Sequence, residues 1–140
     1  MKKGRAIDQI GSHEVFEHRF EVTEEMINKF AAATGDNNPL HLDEDYAAGT
    51  IFKKRVAHGM LTAGILSGVL GTQFPGVGTI YMSQTLQFRG PVFIGDRLCL
   101  RLTVIEKIAE KNRLRIETIC TNQDQNNVLI GEALVMPPTG

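Results

Sequence analysis

The sequence predicts an α+β domain in which one antiparallel sheet wraps around a single buried helix. Three observations carry that prediction. The segment Met60–Gly71 has no charged residue on any face, and a helix that is apolar all round must be buried all round. From Leu98 onward, apolar and polar residues alternate in successive runs, the period of strands with one buried face. The chain order is one strand, then helices, then strands to the end, without the strand–helix repetition that builds parallel sheets.

The elements follow in order. The first dozen residues are mixed in character, and residues 1–12 are expected to be loose. Phe16, His18, Phe20 and Val22 alternate with Glu17, Arg19 and Glu21, the pattern of a half-buried strand. Thr23 reads as a helix N-cap, with Glu24 and Glu25 favoured by the helix dipole. Met26, Ile27, Phe30 and Ala33 continue at helical spacing, and Gly35 stops the helix. In Asp36-Asn37-Asn38-Pro39-Leu40-His41 the proline argues against a helix and pushes Asn38 towards an extended conformation. Asp43 caps a short helix through Tyr46 and Ala48, and a basic loop, Lys53-Lys54-Arg55, leads to Val56-Ala57-His58-Gly59.

The glycines inside Met60–Gly71 cost about 1 kcal/mol each relative to alanine, which makes sense where other backbone or a ligand approaches closely. Ile80, Met82, Leu86 and Phe88 alternate with Tyr81, Ser83, Thr85 and Gln87. Leu98, Leu100, Leu102 and Val104 form a long strand. A turn at Glu110-Lys111-Asn112 leads to Leu114, Ile116, Thr118 and Cys120, and a turn within Asn122–Asn127 leads to Val128–Met136, closed by Pro137-Pro138. Four strands in meander need an apolar body on their concave face, and Met60–Leu70 is the only candidate long enough. A sheet around one central helix is the hotdog architecture, and residues 1–140 are read as one such domain.

Composition excludes several classes. Of 140 residues, 42% are hydrophobic and 22% charged, which fits a globular domain and not a disordered chain. A formal net charge of −1 removes the electrostatic case for a general nucleic-acid binder. Cys99 and Cys120 show no CxxC spacing and read as buried free thiols in a reducing compartment. Met1-Lys2-Lys3-Gly4 is basic, but no apolar run follows, so a signal peptide is not expected. Met60–Leu70 falls far short of the ~18 residues of a membrane span. The expectation is a soluble cytoplasmic protein with neither a nucleic-acid nor a membrane partner.

Asp36–His41 is the strongest chemical signal. It places a carboxylate and an imidazole on one turn-rich loop, where a bend brings them together for acid–base work near neutral pH. The competing reading is an Asx-turn at Asp36 and a half-buried loop histidine. Gly59, at the start of the buried helix, offers an unpaired N–H and the positive end of the dipole, a ready oxyanion site, or else it serves only a tight turn. His58 is read as a cap or packing residue. Ser67 is read as bonding back to the Ala63 carbonyl, with a substrate contact as the minor alternative. Lys53, Lys54, Arg55 and, more weakly, Arg89 are candidates for meeting a phosphorylated ligand. His13 and His18 have no visible partner. No spacing matches a metal site, a phosphate-cradling glycine loop or a serine-nucleophile elbow.

These residues bring a resemblance with them. Asp36-Asn37-Asn38-Pro39-Leu40-His41-Leu42-Asp43, Val56-Ala57-His58-Gly59-Met60, Gly78-Thr79-Ile80-Tyr81 and Phe88-Arg89-Gly90-Pro91-Val92 resemble the MaoC-like R-specific enoyl-CoA hydratases, in particular the small PhaJ-type enzymes that supply polyhydroxyalkanoate synthesis. The likeness runs from about Phe20 to Val135. It implies a hotdog homodimer that hydrates trans-2-enoyl-CoA to (R)-3-hydroxyacyl-CoA, with pantetheine entering near the subunit boundary. Asp36 and His41 would activate the water, the Gly59 N–H would bind the thioester oxygen, and Ser67 would lie near the substrate. Lys53, Lys54, Arg55 and Arg89 are candidate contacts for the CoA phosphates. No metal and no cofactor is implied. An acyl-CoA thioesterase and a non-catalytic acyl-CoA-binding subunit are the alternatives, because one fold hosts several activities.

Overall fold

Alternation in the longest strand shows how the core is built. Leu98, Leu100, Leu102 and Val104 point to one face and are each at most 1% exposed, while the positions between them face out. The computed structural model describes residues 1–140. Its elements are β1 (Val15–Glu21), α1 (Glu24–Thr34), α2 (Pro39–Leu42), α3 (Glu44–Ala48), α4 (Gly59–Thr72), β2 (Ile80–Gln84), β3 (Gln87–Phe88), β4 (Arg97–Ile108), β5 (Arg113–Thr121) and β6 (Asn127–Met136). All strand pairs are antiparallel, in the order β1-β4-β5-β6-β2, with β3 also on β6.

The sheet curls around α4. Leu66, Val69 and Leu70 of that helix join the inward residues of β4, β5 and β6 in one hydrophobic cluster. This is the hotdog fold expected from the sequence. The meander holds for β4-β5-β6 only. β1 already occupies the outer edge of β4, so the chain leaving α4 crosses to the free edge of β6 and forms β2 there. A bulge between Tyr81 and Ser83 breaks the expected alternation. Tyr81 and Gln84 pair with the buried Val135 and Ala133 and share their inward face, while Ile80 and Met82 are exposed.

The predicted caps are present. Thr23 Oγ1 accepts from the Met26 N–H at 3.2 Å, Asp43 Oδ1 from the Tyr46 N–H at 3.0 Å, and Gly35 ends α1 in the left-handed region, φ 77°. Three expectations are corrected. Pro39 does not deny a helix but opens α2, a position where its missing N–H costs nothing. Residues 1–12 are docked, not loose. Gly4 and Arg5 donate backbone bonds to Val77 and Pro75 at 2.8 Å, Arg5 pairs with Glu14, and Ile10 is 1% exposed in the core. Within one chain, α4 is not buried all round: Met60, Gly64, Ser67 and Gly68 are exposed along one stripe.

Leu66 is fully buried between helix and sheet. Leu66→Ala is expected to lower the urea unfolding free energy by about 2–5 kcal/mol. Thr72→Ala, at the exposed end of the same helix, is expected to change it by less than about 0.5 kcal/mol.

Candidate active site

Each functional side chain is placed by a local device. Gly35 turns the chain out of α1, so Asp36 follows at once. Asp36 Oδ1 accepts from the Asn38 N–H at 3.4 Å, and Asn38 Oδ1 accepts from the Leu40 N–H at 3.1 Å, capping α2. α2 then carries His41 back towards Asp36. The Asx-turn that competed with a catalytic reading is therefore present, and it is what shapes the pair.

The His41 ring is fixed by its Nδ1, which lies 2.7 Å from the Val56 carbonyl oxygen. A carbonyl can only accept, so Nδ1 carries a proton, and in the neutral ring Nε2 is the nitrogen with the lone pair. His58 supports the pair from below. Its ring stacks on His41 with centroids 3.9 Å apart and planes 30° apart, and its Nε2–H donates to the Asp36 carbonyl oxygen at 3.0 Å. Phe30 closes its other side at 4.7 Å. His58 is 2% exposed, and burial holds its pKa below the ordinary 6.5, partly offset by the bond to the Asp36 carbonyl. It is therefore neutral at neutral pH.

Donor atoms of Asp36, His41 and His58 lie within 4.8 Å of one another, the one such cluster in the chain. Each imidazole has one nitrogen committed to a backbone carbonyl, which leaves Nε2 of His41 and Nδ1 of His58 as the uncommitted ring atoms.

Arg55 departs from its sequence reading. It is 5% exposed and does not belong to a solvated loop. Its Nε donates to the His41 carbonyl oxygen at 2.7 Å, and its guanidinium meets Glu24 at 3.0 Å and Glu44 at 3.6 Å. A guanidinium committed to α1, α3 and the backbone of His41 is not available to a phosphate. Lys53, Lys54 and Arg89 are exposed, Lys54 over the Phe93 ring at 4.3 Å. Lys54 and Arg89 border a common depression with Asn126 and Asn127.

Gly59 is the first residue of α4, and no side chain caps that end. A Cβ at Gly59 would lie 2.6 Å from the exposed Phe88 ring, so a larger residue there requires that ring to move aside. Asp36, His41, His58, Gly59 and Phe88 line a cavity of about 310 Å³. A neighbouring groove of about 570 Å³ shares Asp36 and Met60 with it and continues along α4 past Gly64 and Ser67 to Tyr81 and Gln84. The structure thus brings together Asp36, His41 and Gly59, places Ser67 along the groove, sets Lys54 and Arg89 outside it and removes Arg55. The sequence reading missed the positions of His58 and Phe88. The only local signal for either was the adjacency of His58 to the helix start.

The hotdog domain thus brings a carboxylate and an imidazole to one cavity with an open helix N-terminus. The chain belongs to the MaoC-like domain family, whose pattern matches residues 6–126. It is 49% identical over 118 residues to a 3-hydroxybutyryl-CoA dehydratase of Methylorubrum extorquens, covering 84% of this chain and 74% of that one. It is 47% identical over 117 residues to an (R)-specific enoyl-CoA hydratase of Rhodospirillum rubrum, covering 84% and 81%. The solved structure of unliganded R-hydratase PhaJ1 from Pseudomonas aeruginosa superposes with a TM-score of 0.94 at 42% identity, covering 98% of this chain and 88% of that one.

A buried histidine with a lowered pKa makes stability depend on pH. Below its ordinary 6.5 the unfolded chain takes up the proton more readily than the folded one, so stability falls as pH falls through that range. The urea unfolding free energy is expected to drop from about pH 7.5 to about pH 5.5, and to drop less in His58→Gln. An equal drop in both proteins would show that His58 is not the group responsible.

Proposed function

We propose that this protein hydrates trans-2-enoyl-CoA to (R)-3-hydroxyacyl-CoA and runs the reverse dehydration with the same groups. The observation that carries the reading is one cavity that holds the Asp36–His41 pair and the open N-terminus of α4 together.

The β-carbon of an enoyl thioester is electrophilic. Asp36 and the free Nε2 of His41 hold one water between them. A proton leaves the water as its oxygen bonds the β-carbon, and the π electrons move through the α-carbon onto the thioester oxygen. The Gly59 N–H, at the positive end of α4, stabilises that enolate. The pair then delivers a proton to the α-carbon, so the elements of one water are added across the double bond. The neutral His58 adds no positive charge beneath the pair, and Arg55 holds the His41 backbone. The R outcome rests on kinship with enzymes named (R)-specific. Ser67 lies beside the bound acyl group, and Lys53, Lys54 and Arg89 meet the CoA phosphates at the mouth.

The working unit is a homodimer. The exposed stripe Met60, Gly64, Ser67 and Gly68 of α4 faces a groove that Tyr81 also lines, and β2 beside it is an unpaired edge strand with Ile80 and Met82 exposed. A second copy laid across it would turn the open groove into a tunnel and meet the burial that a charge-free helix requires. No helix is long and apolar enough to cross a membrane.

Hydration removes the conjugated double bond, so the absorbance of crotonyl-CoA reports it directly. Asp36→Asn and His41→Ala are each expected to lower kcat by about 10²–10⁴-fold with unchanged circular dichroism. Near-full turnover by either folded variant would remove the pair from the mechanism. Light scattering after size-exclusion chromatography is expected to give twice the chain mass. A charge at the interface, Gly68→Asp, is expected to shift the protein towards monomer and to reduce activity.

A further inference from the structure

The concave face of the sheet is apolar along β4, yet one polar patch interrupts it further on. Thr118 of β5 is 1% exposed among leucines and isoleucines. Its Oγ1 accepts from Gln84 Nε2 at 2.9 Å, Gln84 Nε2 also donates to the Thr85 carbonyl oxygen at 2.8 Å, and the Tyr81 hydroxyl donates to Gln84 Oε1. Both ends of the Gln84 amide are bound, so the side chain is held in place. The sheet is cut away to receive it. Residue 131, paired with Thr118, is glycine, and a Cβ there would lie 1.8 Å from the Thr85 oxygen and 3.1 Å from Gln84 Nε2.

This bridge lies along the groove that starts at Asp36, with Ala63, Gly64 and Ser67 as the wall between. An acyl chain with its β-carbon at the Asp36–His41 pair extends towards Gln84. Each methylene buried on the way tightens binding by about fourfold. A methylene that reaches the amide instead must break its hydrogen bonds or leave them unpaired, and the gain reverses.

We propose that the Tyr81–Gln84–Thr118 bridge is the end stop of the acyl groove and restricts the enzyme to short-chain enoyl thioesters of the crotonyl class. This rests on the hydratase reading above and deepens it. The test is kcat/KM for crotonyl-, hexenoyl-, octenoyl- and decenoyl-CoA with the wild-type dimer, Gln84→Ala and Tyr81→Phe. Wild type is expected to lose at least about tenfold between crotonyl- and octenoyl-CoA. Gln84→Ala is expected to raise the octenoyl-to-crotonyl ratio by at least about tenfold. Tyr81→Phe, which only frees the amide from its clamp and is the milder change should Gln84→Ala fold poorly, is expected to move the ratio the same way by about threefold. A wild type that hydrates octenoyl- as fast as crotonyl-CoA, or a ratio that stays put in the folded variants, overturns the end stop while leaving the hydratase reading intact. A wild type that hydrates none of the four overturns both, and shows it before any variant is made.

Discussion

Every functional group in this protein takes its position from the seating of α4 on the concave face of the sheet. Leu66, Val69 and Leu70 are at most 2% exposed there, each contributing about 1.5–3 kcal/mol through burial. A helix anchored over that length cannot slide or rotate without exposing them. Its N-terminus is therefore a fixed point, with His58 beneath the Asp36 turn and Gly59 at the cavity wall. The loop that carries Asp36 and His41 is then tied to that point by two backbone carbonyls, of Val56 and Asp36, which hold the two imidazoles as stacked neighbours.

The same two bonds decide the chemistry of the rings. Because a carbonyl cannot donate, each bond places the ring proton on a named nitrogen. In a neutral His41 the lone pair lies on Nε2, and burial holds the His58 pKa below its ordinary value. A charged His58 at this stacking distance would oppose protonation of His41 and so weaken it as a base. Arg55 supplies the buried cation nearby, but its charge is taken up by Glu24 and Glu44 rather than presented to the cavity. The cavity therefore holds Asp36 and His41 together with the open N-terminus of α4, the arrangement on which the proposed hydration rests.

Much of this was legible in the residues. Strand alternation, the Thr23 and Asp43 caps and the Gly35 stop are local effects, and they led to the right elements. The types and spacing of Asp36, His41 and Gly59 left a turn, a loop histidine and a tight-turn glycine as equal or better readings; the resemblance to the hydratases favoured chemistry, and the structure brings the three to one cavity. What was illegible depends on contacts between distant segments. Arg55 sits in a run of three cations and reads as solvated; its partners Glu24 and the His41 carbonyl lie 31 and 14 residues away. β2 goes to β6 because β1 holds the other edge, which no local pattern reveals. Residues 1–12 look loose until Ile10 is seen in the core. α4 is free of charge on all faces yet exposed along Gly64, Ser67 and Gly68 in the single chain, and the proposed dimer would cover that stripe.

The central claim is that water is added at the β-carbon while the thioester stays whole. Incubating crotonyl-CoA with the protein in ¹⁸O-labelled water and analysing the product by mass and chirality tests it most directly. The account predicts one label on the hydroxyl of (R)-3-hydroxybutyryl-CoA, with CoA still attached. Label in a free carboxylate, with CoA released and the double bond retained, would contradict it and assign the site to thioester hydrolysis.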